Sequence, residues 1–120
     1  MARHYKELKV WQKAVDFSVA IYRVTESFPK SELYGITAQI RKCAVSVASN
    51  IAEGSERNSD KEFARFLNIA KGSLAECETQ CVISLKLGFL SEADYTIIHS
   101  MMAEIGKMLN GLSNKLVTGD

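Results

Sequence analysis

The sequence lacks several features that mark common functional classes. Its 120 residues include three cysteines, two histidines and one proline, and the formal net charge is +1. An odd number of cysteines without a CxxC pair argues against a disulfide framework. A net charge this small creates no strong overall field to attract nucleic acid or an anionic membrane. Any electrostatic partner must therefore bind a local patch of charge.

Long apolar runs are also missing. No window approaches the roughly 20 uninterrupted apolar residues of a membrane span, and no apolar stretch follows the charged N-terminal residues. We therefore expect a cytoplasmic protein with no membrane partner. Hydrophobic residues make up 47% of the chain, which is enough for a core. The length predicts a single domain spanning residues 1–120.

Apolar residues recur at intervals of three and four rather than in alternation, which predicts helices. The first helix is predicted at about residues 7–27 and is ended by Pro29. The second is predicted from residue 31 or 32, with Leu33 directed towards the core, and it closes at Gly54.

Two capping boxes predict where the third and fourth helices begin. In Ser59-Asp60-Lys61-Glu62 and in Ser91-Glu92-Ala93-Asp94, the serine side chain can accept the N–H three residues later. The third helix is predicted to reach Leu87, with Ile83 in the core and Gly88 as its left-handed end, and the fourth to pass Leu116. Short connections make successive helices antiparallel neighbours. The predicted fold is all-α, an antiparallel up-down-up-down four-helix bundle.

Gly72 lies in the middle of the predicted third helix. A glycine there costs about 1 kcal/mol relative to alanine, so we expect another helix to pack closely against it.

Motifs along nearly the whole chain resemble those of a known family. They are Leu8-Lys9-Val10-Trp11-Gln12-Lys13-Ala14, Phe28-Pro29, Tyr34-Gly35, Ser49-Asn50-Ile51-Ala52-Glu53-Gly54, Gly72-Ser73-Leu74-Ala75-Glu76-Cys77-Glu78-Thr79 and Leu87-Gly88. With them the chain resembles the 23S rRNA intervening-sequence proteins, also labelled S23 ribosomal proteins. The resemblance implies the bundle and, for several members, a ring-like homopentamer. Relatives resemble accessory proteins of diversity-generating retroelements, which bind nucleic acid beside a reverse transcriptase. The family has no accepted active site to transfer.

One end of the predicted bundle is basic. Up-down order brings together the starts of the first and third helices and the ends of the second and fourth, and we name this the tail end. Residues 1–15, 45–70 and 105–120 contain nine Lys and Arg against six Asp and Glu. Such an excess is what a phosphate-backbone site requires, although ordinary solvated surface is the alternative reading. The candidate nucleic-acid-binding residues are Lys9, Lys13, Arg57, Lys61 and Arg65.

Polar side chains at spacings of three and four share one face of the second helix and the turn that follows it. They are Ser46, Ser49, Asn50, Glu53 and Arg57. The ladder is either a contact between subunits or a ligand pocket, or it is an internal hydrogen-bond network that locks the second and third helices together. Glu53 and Arg57 are spaced for an ion pair.

Metal-binding and catalytic constellations find little support. Cys77, Cys81 and His99 are expected at one level of the bundle, but no fourth zinc ligand accompanies them, so we interpret the cysteines as buried small hydrophobes. Neither a Ser-His-Asp nor a Cys-His arrangement can be assembled from two distant histidines. Phe63 and Phe66 have core spacing, whereas Tyr5 and Trp11 are candidate interface aromatics. We expect no enzyme and no cofactor.

The preferred hypothesis is a non-enzymatic homo-oligomer that binds RNA or DNA through the basic tail end. The alternative is a protein-interaction or assembly module without affinity for nucleic acid, in which the polar ladder and neighbouring small residues form the subunit interface. A bundle that binds a metal or a small molecule is the least favoured reading.

Overall fold

The computed structural model describes residues 4–118, which form four α-helices and no strands. The helices are α1 (Lys9–Thr25), α2 (Ile36–Ser55), α3 (Asp60–Lys86) and α4 (Glu92–Thr118). Short 3-10 turns, Tyr5–Glu7 and Lys30–Glu32, precede α1 and α2. Each helix packs against the next, and α4 packs against α1. The predicted antiparallel four-helix bundle is confirmed.

The hydrophobic core runs along the middle of the bundle. Its largest fully buried side chains include Phe17, Ile21, Ile40, Phe63 and Ile105. These come from all four helices, because each helix directs one apolar stripe inwards. Within residues 4–118, none of the helices has the length and apolar character needed to cross a membrane.

The core stripe on α3 departs from the prediction near its end. Ile83 was expected inside, but 44% of it is exposed, whereas Ser84 is fully buried. The buried positions Cys77, Cys81 and Ser84 step by four and then three residues, as one face of a helix requires. Hydrophobicity alone favoured Ile83, and helical geometry places Ser84 inside instead.

The start of α2 is also a correction. The prediction began the helix at residue 31 or 32, but it begins at Ile36, and Leu33 is 47% exposed rather than in the core. Backbone bonds from the N–H of Glu32 to Pro29 and from the N–H of Gly35 to Glu32, both 2.9 Å, close three-residue turns. These turns cannot continue as an α-helix, which needs four-residue bonds.

The predicted caps of α3 and α4 are confirmed, whereas Gly54 does not close α2: the helix continues to Ser55 and Gly54 lacks the left-handed φ of a terminating glycine. The Oγ atoms of Ser59 and Ser91 accept the N–H groups of Glu62 and Asp94, each at 3.1 Å. Gly88 has a φ of 78°, the left-handed conformation that terminates a helix. The third helix ends at Lys86, one residue before the predicted end.

Close helix packing occurs at Gly54 rather than at Gly72. A Cβ added to Gly54 would lie 2.5 Å from Cβ of Phe66 and 3.0 Å from Cδ1 of Phe63. A Cβ on Gly72 would have nothing within 4 Å. The prediction for Gly72 is therefore wrong within this subunit, where the glycine gives up helix stability without a packing gain.

Candidate functional site

The five candidate cations lie at the tail end of the bundle. Lys13 contacts Glu104, which places the first turns of α1 beside the middle of α4. The approach of Gly54 to Phe66 places the end of α2 beside the start of α3. Lys9, Lys61 and Arg65 belong to the first turns of α1 and α3, and Arg57 lies in the connection between α2 and α3.

Carboxylates neutralise three of the five cations. The pairs, with their N···O distances, are Lys13–Glu104 at 3.4 Å, Arg57–Glu53 at 3.3 Å and Arg65–Glu62 at 3.1 Å. The hydrogen bond from the Arg65 guanidinium lowers the pKa of the Glu62 carboxyl. All six side chains are well exposed, so salt weakens these pairs. Lys9 and Lys61 make no ion pair within residues 4–118.

The two tail-end arginines share one aromatic ring. The guanidinium carbons of Arg57 and Arg65 each lie 4.7 Å from the centre of the Phe66 ring, within the range of a cation–π contact. Phe66 is itself buried, as is Phe63. Neither ring can stack on a base, and the core interpretation of both residues is confirmed.

The polar ladder on α2 divides between two faces. Ser46 and Ser73 lie 2.8 Å apart through their hydroxyls, and Asn50 donates its side-chain amide to Ser46 at 3.0 Å. The expected ion pair between Glu53 and Arg57 is present. These residues hold α2 against α3 or close on their own turn, as the internal-network reading expected. Ser49 instead faces α1.

Further polar contacts extend the α2–α3 network beyond the ladder. The Gln80 side chain donates to Gln39 Oε1 at 3.4 Å, and the Cys43 thiol to Glu76 Oε2 at 3.5 Å. Burial, together with the Glu76 carboxylate, raises the pKa of Cys43. We name this set of contacts the polar seam: Gln39, Cys43, Ser46 and Asn50 of α2 with Ser73, Glu76 and Gln80 of α3. Sequence reasoning missed its α3 half, although residues 73, 76 and 80 have helical spacing.

The other side of α2 borders an apolar groove. Between α1 and α2 lies an open cavity of about 620 Å³, which we name the α1–α2 groove. Val19, Tyr22 and Val45 on its walls each expose between 42% and 46% of their surface. The smaller residues lining the groove are Ser18, Ala48, Ser49 and Ala52. At its tail end Tyr5 and Trp11 meet edge to face, with ring centres 5.2 Å apart.

The comparisons with known proteins identify the family. A family model described as 23S rRNA-intervening sequence protein matches residues 6–111. The chain belongs to this family. A solved structure of a protein of unknown function from the S23 ribosomal protein family of Bacteroides thetaiotaomicron is similar in fold, with a TM-score of 0.81 and 24% identity over 88% of this chain and 95% of that chain. A search of curated proteins finds no match.

In this 23S rRNA-intervening sequence protein, the motif Ser49-Asn50-Ile51-Ala52-Glu53-Gly54 serves both sides of α2. Gly54 belongs to the α2–α3 contact, and Asn50 donates to Ser46, which contacts Ser73 of α3, while Ser49 and Ala52 line the α1–α2 groove. Ile51 is fully buried between them. The residues of the motif therefore lie in three places, the α2–α3 contact, the α1–α2 groove and the core, rather than in one binding site.

The cysteines and His99 of this family member do not come together. Cys77 and Cys81 are fully buried, as interpreted from the sequence, and burial raises the pKa of both thiols, that of Cys81 to about 12. The His99 side chain is about half exposed and lies 3.9 Å from Glu78. Among the residues that the structure describes, no three His, Cys, Asp or Glu side chains are grouped for a metal ion.

Proposed function

We propose that this protein is a non-enzymatic, homo-oligomeric helical bundle that binds the phosphate backbone of nucleic acid through its tail end. The observation that carries the proposal is the concentration of cations there, with Lys9 and Lys61 in no ion pair within residues 4–118. Arg57 and Arg65 lie beside them, braced on Phe66. The family is named for intervening sequences of 23S rRNA, which makes RNA the first ligand to test.

Self-association is part of the proposal because one subunit has too little positive charge. Eight cations of the described tail end, Lys6, Lys9, Lys13, Arg57, Lys61, Arg65, Lys107 and Lys115, face six acids, Glu7, Glu53, Glu56, Asp60, Glu62 and Glu104. Glu104 was not included in the charge count made from the sequence, and it lowers the excess of positive charge at the tail end. Each cation that neutralises a phosphate adds to affinity. An oligomer repeats the small excess around one axis, so that several subunits bind the same strand.

The test reverses the two unpaired lysines. Affinity of the Lys9→Glu/Lys61→Glu variant for a fluorescent RNA oligonucleotide is measured by anisotropy in a series of salt concentrations. We expect weaker binding and a salt dependence that flattens by about 1.4 to 1.8 for each engaged subunit, since each phosphate contact contributes about 0.7 to 0.9. The matched control, Lys30→Glu/Lys86→Glu, reverses two exposed lysines at the opposite end. Equal losses in both variants would contradict the tail-end site.

A second candidate function is an assembly module that has no affinity for nucleic acid. The α1–α2 groove favours it, because an apolar groove with partly exposed valines and a tyrosine is typical of a protein-binding surface. This candidate expects an oligomer that purifies free of nucleic acid and does not bind the RNA probe even at low salt. The ratio of absorbance at 260 and 280 nm, recorded during light scattering, distinguishes the two candidates.

A further inference from the structure

We propose that the tail end binds RNA as a single strand, with unpaired bases stacked on the rings of His4, Tyr5 and Trp11. The inference rests on the proposed function, in which the tail-end cations hold the phosphate backbone, and it specifies the form of RNA that this end takes. Charge alone does not decide that form, because acids lie among the cations. The aromatic rings do.

Three aromatic side chains contact one another in series at the start of α1. The rings of His4 and Tyr5 are stacked, with centres 5.8 Å apart and 29° between their planes. Tyr5 in turn meets Trp11 edge to face at 5.2 Å. His4 is exposed, and Tyr5 and Trp11 are partly exposed, so part of each ring is open to a ligand. We name these three residues the aromatic cluster.

Hydrogen bonds hold the segment that carries the aromatic cluster. The N–H of Leu8 donates to the carbonyl of Tyr5 at 3.0 Å, which closes the turn before α1. The side-chain amide of Gln12 donates to the carbonyl of Lys6 at 2.8 Å, and the same turn packs against α2. A ring that is held in place before binding loses little conformational entropy when a base stacks on it. The cluster is therefore preorganised.

Two lysines lie between the rings in the chain. Lys6 directly follows Tyr5, and Lys9 lies two residues before Trp11. Both lysines are exposed, and neither forms an ion pair within residues 4–118. Residues two apart on a helix point to different sides, so a strand that contacts Lys9 crosses the start of α1 to place a base on Trp11. This path runs over the tail end itself.

Small residues of α2 leave space beside Trp11. Ser49 and Ala52 line the same groove as Trp11, and Ser49 is exposed. The exposed Val19 lies eight residues after Trp11, which is about 12 Å farther along α1. A protein segment bound in the groove would cover that apolar middle, whereas a base needs only the rings at the tail end. The cluster thus suits a base without the rest of the groove.

Ring stacking distinguishes a single strand from a duplex. In a duplex the bases stack on one another and hide their faces, whereas an unpaired base can turn out and place its face on an aromatic side chain. Proteins that bind single strands without sequence preference combine such rings with cations that follow the backbone. The aromatic cluster and the tail-end lysines provide both components, so the site should prefer unpaired RNA.

Trp11 is the only tryptophan of the chain, so its fluorescence reports directly on the aromatic cluster. A short single-stranded RNA, the duplex that it forms with its complement, and inorganic polyphosphate are each titrated into the full chain. A stacked base quenches indole emission, so we expect quenching by the single strand. Polyphosphate offers charge without bases and should not quench, and the duplex should quench weakly. Bound single strand without quenching, or equal quenching by all three, would overturn the inference.

Substitutions of tyrosine supply a second measurement. Tyr5→Leu removes one ring but keeps an apolar side chain, and its affinity for the single strand, measured by anisotropy, should fall roughly 5- to 150-fold, while Tyr5→Phe should bind like the wild type. The matched control is Tyr95→Leu, because Tyr95 also stacks on a histidine, at 5.6 Å and 29°, but in the first turn of α4 at the opposite end. Equal affinities of Tyr5→Leu and Tyr95→Leu would overturn the inference.

The inference and the proposed function fail in different ways. Single-strand binding that Lys9→Glu/Lys61→Glu weakens but that leaves Trp11 emission unchanged would overturn only the stacking. Quenching that survives the lysine reversals at full affinity would overturn only the backbone contacts. A Trp11 emission that shifts when the protein alone is diluted, and not when RNA is added, would place the rings between subunits and overturn the stacking. The fluorescence titration uses the wild-type chain, so it stands even when a variant does not fold.

Discussion

The α2–α3 and α1–α2 sides of the bundle share the helix α2. They differ in how far the side chains of α2 are paired or covered within the subunit. Towards α3, α2 presents the polar seam and Gly54, and polar side chains pair across the contact. Towards α1, it presents Val45 and small residues to an open groove. Buried polar groups need partners, and at the seam most find them within the subunit, although Oε1 of Gln80 is buried without one. Exposed apolar side chains cost free energy. A partner that covers the groove would therefore gain more binding free energy than one that covers the seam.

The largest loss of stability should come from adding a methyl group where α2 and α3 are already in close contact. In Gly54→Ala the new methyl would meet Phe66 at its backbone-attached Cβ, which cannot rotate away. Overpacking of a core costs typically about 1 to 3 kcal/mol, and we expect the upper part of that range. Urea unfolding followed by circular dichroism measures the loss at fixed protein concentration, because association adds to apparent stability. An unchanged midpoint would mean that α2 and α3 are not in close contact at Gly54.

A smaller effect should follow from opening the polar seam. Ser73→Ala removes the hydroxyl 2.8 Å from that of Ser46, and one net hydrogen bond contributes about 0.5 to 1.5 kcal/mol. Ser46→Ala and the double variant complete a cycle that isolates the coupling. Ser100→Ala, an exposed serine on α4, is the control for the gain in helix propensity and should stabilise slightly, by at most about 0.7 kcal/mol, rather than destabilise. Strictly additive losses in the cycle would mean that the two hydroxyls do not interact.

A glycine-to-alanine substitution at Gly72, where the surface is open, should stabilise the protein, in contrast to Gly54→Ala. Gly72→Ala adds a methyl with nothing within 4 Å, so helix propensity alone predicts up to about 1 kcal/mol of added stability. Comparison with Gly54→Ala makes it a sharp test, because the residue types are the same and only the surroundings differ. Destabilisation by Gly72→Ala, measured by the same urea unfolding at the same protein concentration, would contradict the open surface around α3.

Local signals in the sequence predicted most of the fold. Ser59, Ser91 and Gly88 act within one helical turn, and their roles follow from backbone chemistry alone. The start of α2 was wrong because the turns after Pro29 compete with the helix, and helical periodicity does not register that competition.

The candidate site was harder to predict than the fold because it depends on contacts between distant residues. Lys13 meets Glu104 across 91 positions of the chain, so no pattern within one helix could reveal that its charge is neutralised. The close contact was expected at Gly72 and occurs at Gly54, because Phe66 and Phe63 lie against Gly54 and nothing lies within 4 Å of a Cβ at Gly72. The α3 half of the polar seam was missed for the same reason.

The smallest predicted effect concerns the chemistry of the seam. Burial and then Glu76 raise the pKa of Cys43, and a raised pKa lowers the fraction of reactive thiolate at any pH below it. Glu76→Gln removes the negative charge and keeps the burial, so the pKa of Cys43 should fall and the pH profile of alkylation should move to lower pH. Glu78→Gln, two residues away, is the control, since Glu78 acts on Cys81 instead. Because Cys77 and Cys81 are fully buried, the folded protein should take up one equivalent of reagent. Identical pH profiles for Glu76→Gln and wild type would mean that Glu76 does not affect the pKa of Cys43.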